Sequence, residues 1–136
     1  MANAQVQMFV SLMEGKGMNC RVDDENNLVR TGWSLDNTEL SLIFDFSDEG
    51  YASIIGYDFI KVPEEKFDRV LWALNACNRK YRFVKFTLDE KDKEVMLKID
   101  AVVQLDTCAE EMFELMVRAA QIVDDAYPDI MKALWG

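Results

Sequence analysis

The feature that most restricts the fold is a change in the spacing of apolar residues along the chain. From residue 18 to residue 62, apolar side chains recur at every second position, which is typical of β-strands with one buried face. The alternating sets are residues 29–33, 40–46 and 51–59. The polar turn sequences between them are residues 24–27, 36–37 and 48–50. We therefore predict an antiparallel meander of three or four strands, the first formed by residues 18–22.

Helical spacing, with apolar residues three or four positions apart, flanks this strand region. Residues 3–14 are predicted as a first helix, which Gly15 and Gly17 end because glycine readily adopts the left-handed conformation. Pro63 is predicted to open a second helix ending near residue 80, since a missing N–H costs nothing at a helix start. Its predicted apolar stripe is Phe67, Val70, Leu71, Leu74 and Cys77.

The last third of the chain contains two more strands and a long helix. Apolar and polar side chains alternate over residues 81–89 and 94–103, which predicts two strands joined by a charged turn. Thr107 and Glu110 have the spacing of a capping box, which predicts a third helix to about residue 126, with a short terminal turn starting at Pro128. A wide apolar arc on this helix predicts packing against more than one element. The whole chain, 1–136, is therefore predicted as a single α+β domain of order α-ββββ-α-ββ-α, an antiparallel sheet covered by helices.

Charge and composition exclude several classes of function. The chain has 25 acidic and 15 basic residues, a net charge of −10 and no histidine. The missing histidine removes Ser-His-Asp and Cys-His catalysis and histidine-ligated zinc, and the acidity argues against nucleic-acid binding. Three widely spaced cysteines without a C-x-x-C pair indicate buried thiols in a reducing compartment. No apolar run approaches the length of a membrane span, and the first residues do not predict a signal peptide, so we expect a cytoplasmic protein without membrane contact.

Three short motifs resemble chemical sites but favour structural interpretations. Residues 15–17, Gly-Lys-Gly, follow a helix and do not precede one, so they indicate a helix end, not a phosphate loop. Residues 45–50 begin like a calcium loop, but Gly56 stands where the closing glutamate belongs. The acidic pairs at 23–25 and 124–125 have no group to orient them. We predict no catalytic, cofactor-binding or metal-binding residues and no enzyme activity.

Trp72 is the most informative single residue. At helical spacing it lies opposite the apolar stripe of the second helix, next to the small residues Ala73 and Ala76. Two interpretations remain open: the ring folds onto its own domain, or Trp72, Ala73 and Ala76 form a dimer or partner contact. Leu134 and Trp135 form a second candidate patch.

The basic residues are concentrated around the end of the second helix. Residues 63–82 contain five basic and three acidic side chains, whereas residues 21–62 contain three basic and nine acidic. Arg79, Lys80 and Arg82 therefore either complement the helix dipole at an ordinary surface or contact an anionic ligand or an acidic partner.

The sequence resembles the YbjN family of bacterial sensory transduction regulators over about residues 8–130. The resemblance depends on residues 74–78 at the end of the second helix, 83–89, 94–100 and 124–128, in this order and spacing. That family is similar to the type III secretion chaperones, which implies a type III secretion chaperone-like fold, a cytosolic location and a homodimer in which the middle helix, the one that carries Trp72, contributes to the contact.

Taken together, we predict a non-enzymatic cytosolic interaction protein, chaperone-like or an adaptor or regulator, that binds another polypeptide as a homodimer. The alternative is a regulatory module that binds a small molecule in a pocket between the sheet and a helix, with Arg79, Lys80 or Arg82 at its mouth.

Overall fold

The computed structural model describes residues 2–136 and contains three helices and a six-stranded sheet. The helices are α1 (Ala4–Gly15), α2 (Phe67–Lys80) and α3 (Cys108–Trp135). The strands are β1 (Arg21–Asp23), β2 (Leu28–Ser34), β3 (Glu39–Asp45), β4 (Tyr51–Lys61), β5 (Lys85–Asp89) and β6 (Glu94–Val102). The predicted order α-ββββ-α-ββ-α is confirmed, with a short 3₁₀ turn, Glu64–Lys66, between Pro63 and α2.

All neighbouring strands in the sheet are antiparallel, in the order β1-β2-β3-β4-β6-β5. The three helices cover one face and enclose a single core with it. In β3 the predicted alternation is confirmed, because Leu40, Leu42 and Phe44 are buried between exposed or half-buried neighbours. The α3 helix packs against both α1 and α2, which explains its wide apolar arc.

The strand β4 is interrupted by a bulge near its end. Ala52, Ile54 and Gly56 face the core, and a bulge between Gly56 and Ile60 then shifts the register against β6. Asp58, inside the bulge, has a left-handed backbone with φ of 51°. After the bulge, the consecutive residues Phe59 and Ile60 are both buried.

The strand predicted over residues 81–89 begins later than expected, at Lys85. The chain turns sharply before it, with Phe83 in a left-handed conformation (φ 70°) and a hydrogen bond from the Val84 N–H to the Arg82 carbonyl. Asn78 of α2 then holds the edge strand, since its side chain donates to the Phe86 carbonyl (2.9 Å) and accepts from the Phe86 N–H (2.8 Å). Alternation alone did not reveal this turn, because Tyr81 and Phe83 fit a strand pattern equally well.

The third helix is longer than predicted and continues through Pro128 to Trp135. A proline inside a helix leaves the carbonyl four residues earlier without its N–H partner, here that of Asp124. The side chain of Asn37 donates to this carbonyl at 3.1 Å, and the Asp124 carboxylate accepts the backbone N–H groups of Asp36 and Asn37. The turn between β2 and β3 thus supplies the missing donor.

Thr107 is the N-cap of α3, as the sequence predicts, but the predicted capping box is not formed. The Thr107 side chain does not accept a capping hydrogen bond from the helix backbone. Its hydroxyl donates instead to Glu111, and the same carboxylate accepts the Gln104 N–H at 3.2 Å. Glu111, and not Glu110, therefore contacts the residues before α3, but it does not accept the Thr107 N–H as a capping box requires, because that group donates to the Gln104 carbonyl.

Candidate functional site

The α2 helix has a buried and an exposed side, and the exposed side carries the predicted contact residues. Val70, Leu74 and Cys77 are buried against the core as predicted. Phe67 is half-buried, whereas Leu71, which the sequence placed in the same stripe, is exposed. Leu71 therefore adds apolar surface to the outer side of the helix.

Trp72 lies at the centre of this outer side, and 75% of the residue is exposed. Arg69 lies three residues before Trp72, and Ala76 and Arg79 lie four and seven residues after it. Residues at this spacing share one face of a helix. Ala76 is exposed and Ala73, on the flank, is half-buried. The predicted tryptophan contact and one of the predicted cations therefore share a surface.

The end of α3 lies beside the start of α2 and carries a second exposed tryptophan. The Arg69 guanidinium donates to the Gly136 carbonyl at 2.8 Å, which brings the last turn of α3 to the first turn of α2. Trp135 is 72% exposed, but Leu134 is buried in the core, so the predicted Leu134–Trp135 patch consists of the tryptophan alone. We call the exposed set Arg69, Leu71, Trp72, Ala76, Arg79 and Trp135 the α2 face.

The predicted cationic cluster is divided between different roles. Lys80 lies 3.9 Å from the Asp125 carboxylate and over the Tyr81 ring at 5.1 Å. Lys85, beside the cluster, donates to the carbonyls of Asn78 and Tyr81. Arg79 and Arg82 are exposed and form no ion pair within the described residues.

Tyr81 joins the end of α2 to α3. Its hydroxyl donates to the Asp125 carboxylate. Partial burial and the hydrogen-bonded, negatively charged Asp125 raise the pKa of Tyr81 above its ordinary value. This contact fixes the end of α2, from which Arg79 and Arg82 project.

The short motifs lie at turns and a helix end, except that Asp124 and Asp125, predicted at a helix end, lie inside α3 because that helix continues to Trp135. Gly17 (φ 76°) follows the end of α1. Asp45 accepts the Ser47 N–H in the turn after β3, and Asp23 accepts the backbone and side-chain N–H groups of Asn26. Across residues 2–136, no group of three or more His, Cys, Asp or Glu side chains is placed to hold a metal ion.

The cysteine thiols are poor candidates for nucleophiles. All three are free, and burial raises the pKa of Cys20, Cys77 and Cys108. A thiol with a raised pKa is even less ionised near neutral pH, and the thiolate is the reactive form. Among the described residues, no helix is both long enough and apolar enough to span a membrane.

An exposed apolar group that the sequence pattern does not reveal lies at the start of β4 and the end of β6. Tyr51 and Val102 are paired across these strands, and Leu105 follows in the next loop. Each fits an ordinary strand or loop pattern in the sequence. Only the register between the two strands places Tyr51 beside Val102.

Comparison with known proteins relates the chain to one family and two solved structures. The YbjN family model, described as "Putative bacterial sensory transduction regulator", matches residues 5–131. The crystal structure of YbjN from E. coli is similar with a TM-score of 0.64 and 12% identity, over 90% of this chain and 91% of that chain. A chain of the ExsC–ExsE complex is similar with a TM-score of 0.55 and 17% identity, over 93% and 92% of the two chains. No curated protein matches significantly.

At these identities the solved structures show the fold, and they confirm the predicted α+β architecture similar to the type III secretion chaperones. The family model extends from the second residue of α1 to the last turns of α3. It therefore includes all six strands and the α2 face up to Arg79. The chain belongs to the YbjN family.

Proposed function

We propose that this protein is a non-enzymatic interaction protein, a chaperone-like adaptor or regulator, that forms a homodimer through the α2 face and binds another polypeptide. The observation that carries the proposal is the exposure of Trp72 on a helix whose other side is buried. A large aromatic ring in solvent loses favourable burial, and tryptophan is enriched among the residues that dominate binding energy.

The charges around Trp72 suit a two-fold contact. Glu65 lies in the 3₁₀ turn just before α2, on the N-terminal side of Trp72, and Arg79 lies two helical turns after Trp72, on its C-terminal side. If two α2 helices pack antiparallel with Trp72 at the centre, Arg79 of one protomer faces Glu65 of its partner. Both side chains are exposed and form no ion pair within residues 2–136, so both are available for the contact.

The part of the proposal that concerns another polypeptide is supported by the fold and the surface. The similar ExsC–ExsE structure is a complex of two proteins. This chain is strongly acidic, with a net charge of −10, which favours association with basic protein segments.

The dimer is tested by sedimentation velocity with variants of the α2 face. We expect the wild-type protein to be a dimer at tens of micromolar. Trp72→Ala is expected to weaken the dimer by about 30-fold or more, because loss of a central tryptophan costs about 2 kcal/mol or more. Tyr51→Ala, which removes an exposed aromatic ring outside α2, is the matched control and should leave the dimer intact.

A charge exchange tests the antiparallel arrangement. Arg79→Glu and Glu65→Arg should each weaken the dimer, and the double variant should restore it because the pair is reconstituted with opposite signs. A wild-type monomer at tens of micromolar contradicts the homodimer. A dimer that Trp72→Ala weakens but that the double charge exchange fails to restore contradicts only the antiparallel geometry.

A further inference from the structure

The end of the sheet at which β4 begins and β6 ends exposes three large apolar side chains. Tyr51 and Val102 lie directly opposite each other in the register, and they are 62% and 74% exposed. Leu105, three residues after Val102, is 47% exposed. Residues 2–136 leave this group largely uncovered, and grouped apolar side chains of this kind mark interaction surfaces more often than single ones do.

These side chains lie in two adjacent clefts. Tyr51 and Val102 line one of about 540 Å³, and Leu105 lines another of about 560 Å³ against the start of α1. The two meet at the turn before β4, since Asp48 lines the first cleft and the next residue, Glu49, lines the second. Gly50 holds this turn, because its N–H donates to the Gln5 side chain (3.1 Å) and its carbonyl accepts the Val103 N–H (3.0 Å). The apolar surface is therefore held in place by hydrogen bonds between α1, β4 and the end of β6.

Acidic side chains surround the apolar group. Asp48 lines the first cleft, and Glu49 and Asp106 line the second. All three are exposed and form no ion pair in the part of the chain that the structure describes. The one lysine or arginine that lines either cleft, Lys98, lies 3.6 Å from the Asp100 carboxylate. The surface thus combines an apolar centre with an uncompensated negative rim.

We infer that this acidic docking surface, formed by Tyr51, Val102 and Leu105 with Asp48, Glu49 and Asp106, binds a segment of another polypeptide that carries both basic and apolar side chains. The inference rests on the proposed function and names the partner chemistry and the place of contact. The apolar centre supplies burial, and the carboxylates select lysine and arginine on the partner. A two-fold contact with a second copy would bring two acidic rims together and is therefore disfavoured.

The position of the surface is compatible with the proposed dimer. Tyr51 begins β4, and α2 follows the opposite end of that strand after Lys61. At about 3.3 Å per residue the two ends of β4 are separated by roughly 30 Å. A dimer formed through α2 therefore leaves both acidic docking surfaces free, and each dimer offers two binding places.

The test uses a fluorescent 14-residue peptide built from leucine and lysine, with a leucine–glutamate peptide of the same length as the probe control. We expect the basic probe to bind the wild-type protein at least tenfold more tightly than the acidic one. Binding should weaken with added salt because the rim is exposed. Fluorescence anisotropy measures both affinities.

Matched variants localise the binding. Asp48→Lys/Glu49→Lys and Val102→Ser should each lower affinity for the basic probe at least tenfold. Glu90→Lys/Asp92→Lys changes net charge equally in the turn between β5 and β6, and Val22→Ser removes an exposed valine on the edge strand β1, so both should retain binding. Thermal unfolding confirms that each variant is folded.

Three results would overturn the inference. They are equal loss in the control variants, no preference for the basic probe, and a change of the dimer on Val102→Ser, which would assign the surface to a second copy. The proposed homodimer fails on a different result, namely a wild-type protein that is a monomer in sedimentation. The two proposals can therefore fail separately.

Discussion

Gly56 is a position at which even a methyl side chain is expected to destabilise the fold. It lies in β4 opposite Leu97 of β6, and both residues face the core. A Cβ atom at Gly56 would lie 2.5 Å from Leu97 Cγ and 2.9 Å from each of its methyl carbons. Leu97 is fully buried and cannot move away without displacing its neighbours, so Gly56→Ala overpacks the core.

The size of the effect follows from two opposing contributions. Overpacking a core by a methyl group destabilises the folded state by about 1–3 kcal/mol. Replacing glycine by alanine has an opposite effect of about 0.4–1 kcal/mol, because alanine reduces the conformational entropy of the unfolded chain. Gly32 in β2 is the matched control, because its added Cβ would meet only the Leu40 carbonyl oxygen at 3.8 Å. The unfolded-state contribution is common to both variants. Gly56→Ala is therefore expected to be less stable than Gly32→Ala by about 1–3 kcal/mol.

Urea unfolding followed by circular dichroism measures these free energies, and a double-mutant cycle identifies the cause. Leu97→Ala alone should cost about 2–5 kcal/mol because it leaves a cavity. In the double variant the new methyl group occupies part of that cavity, so the loss should be smaller than the sum of the two single losses by at least about 1 kcal/mol. Equal stability of the two glycine variants, or strict additivity with Leu97→Ala, would refute the reasoning.

Two further predictions concern the connection between α2 and its neighbours. Asn78→Ala removes both hydrogen bonds to the Phe86 backbone, so we expect the free energy of unfolding to fall by about 1–3 kcal/mol and hydrogen exchange at the Phe86 amide to become faster. Asn75→Ala, at an exposed position on the same helix, is the control. Unchanged exchange in Asn78→Ala would count against this role of Asn78. Because the raised pKa of Tyr81 lets the folded state keep a proton that the unfolded state loses near pH 10, stability should fall as the pH rises above about 10. Tyr81→Phe should reduce this fall in urea unfolding between pH 8 and 11, and an identical fall in both proteins would contradict it.

The interaction surfaces differ in how far the sequence could predict them. Trp72 was predictable because 100° per residue places it opposite Leu74 and Cys77 on one helix, a relation that depends on local spacing only. The contribution of Trp135 required the contact between Arg69 and Gly136, which are distant in the chain. The pairing of Tyr51 with Val102 required the register of two strands that are neighbours in the sheet but not consecutive in the chain.

By itself, the sequence determined the order of helices and strands and the buried side of most of them. These properties follow from periods of two and 3.6 residues, which act over a few neighbours. Only the tertiary structure decided where α3 ends and where β5 begins. The helix continues through Pro128 because Asn37, from another turn, supplies the missing hydrogen-bond donor, and β5 starts late because the chain turns at Phe83. The end of α3 depends on a partner far away in sequence, and the start of β5 depends on the turn at Phe83 and the hydrogen bonds between Asn78 and Phe86. The spacing of apolar residues contains neither.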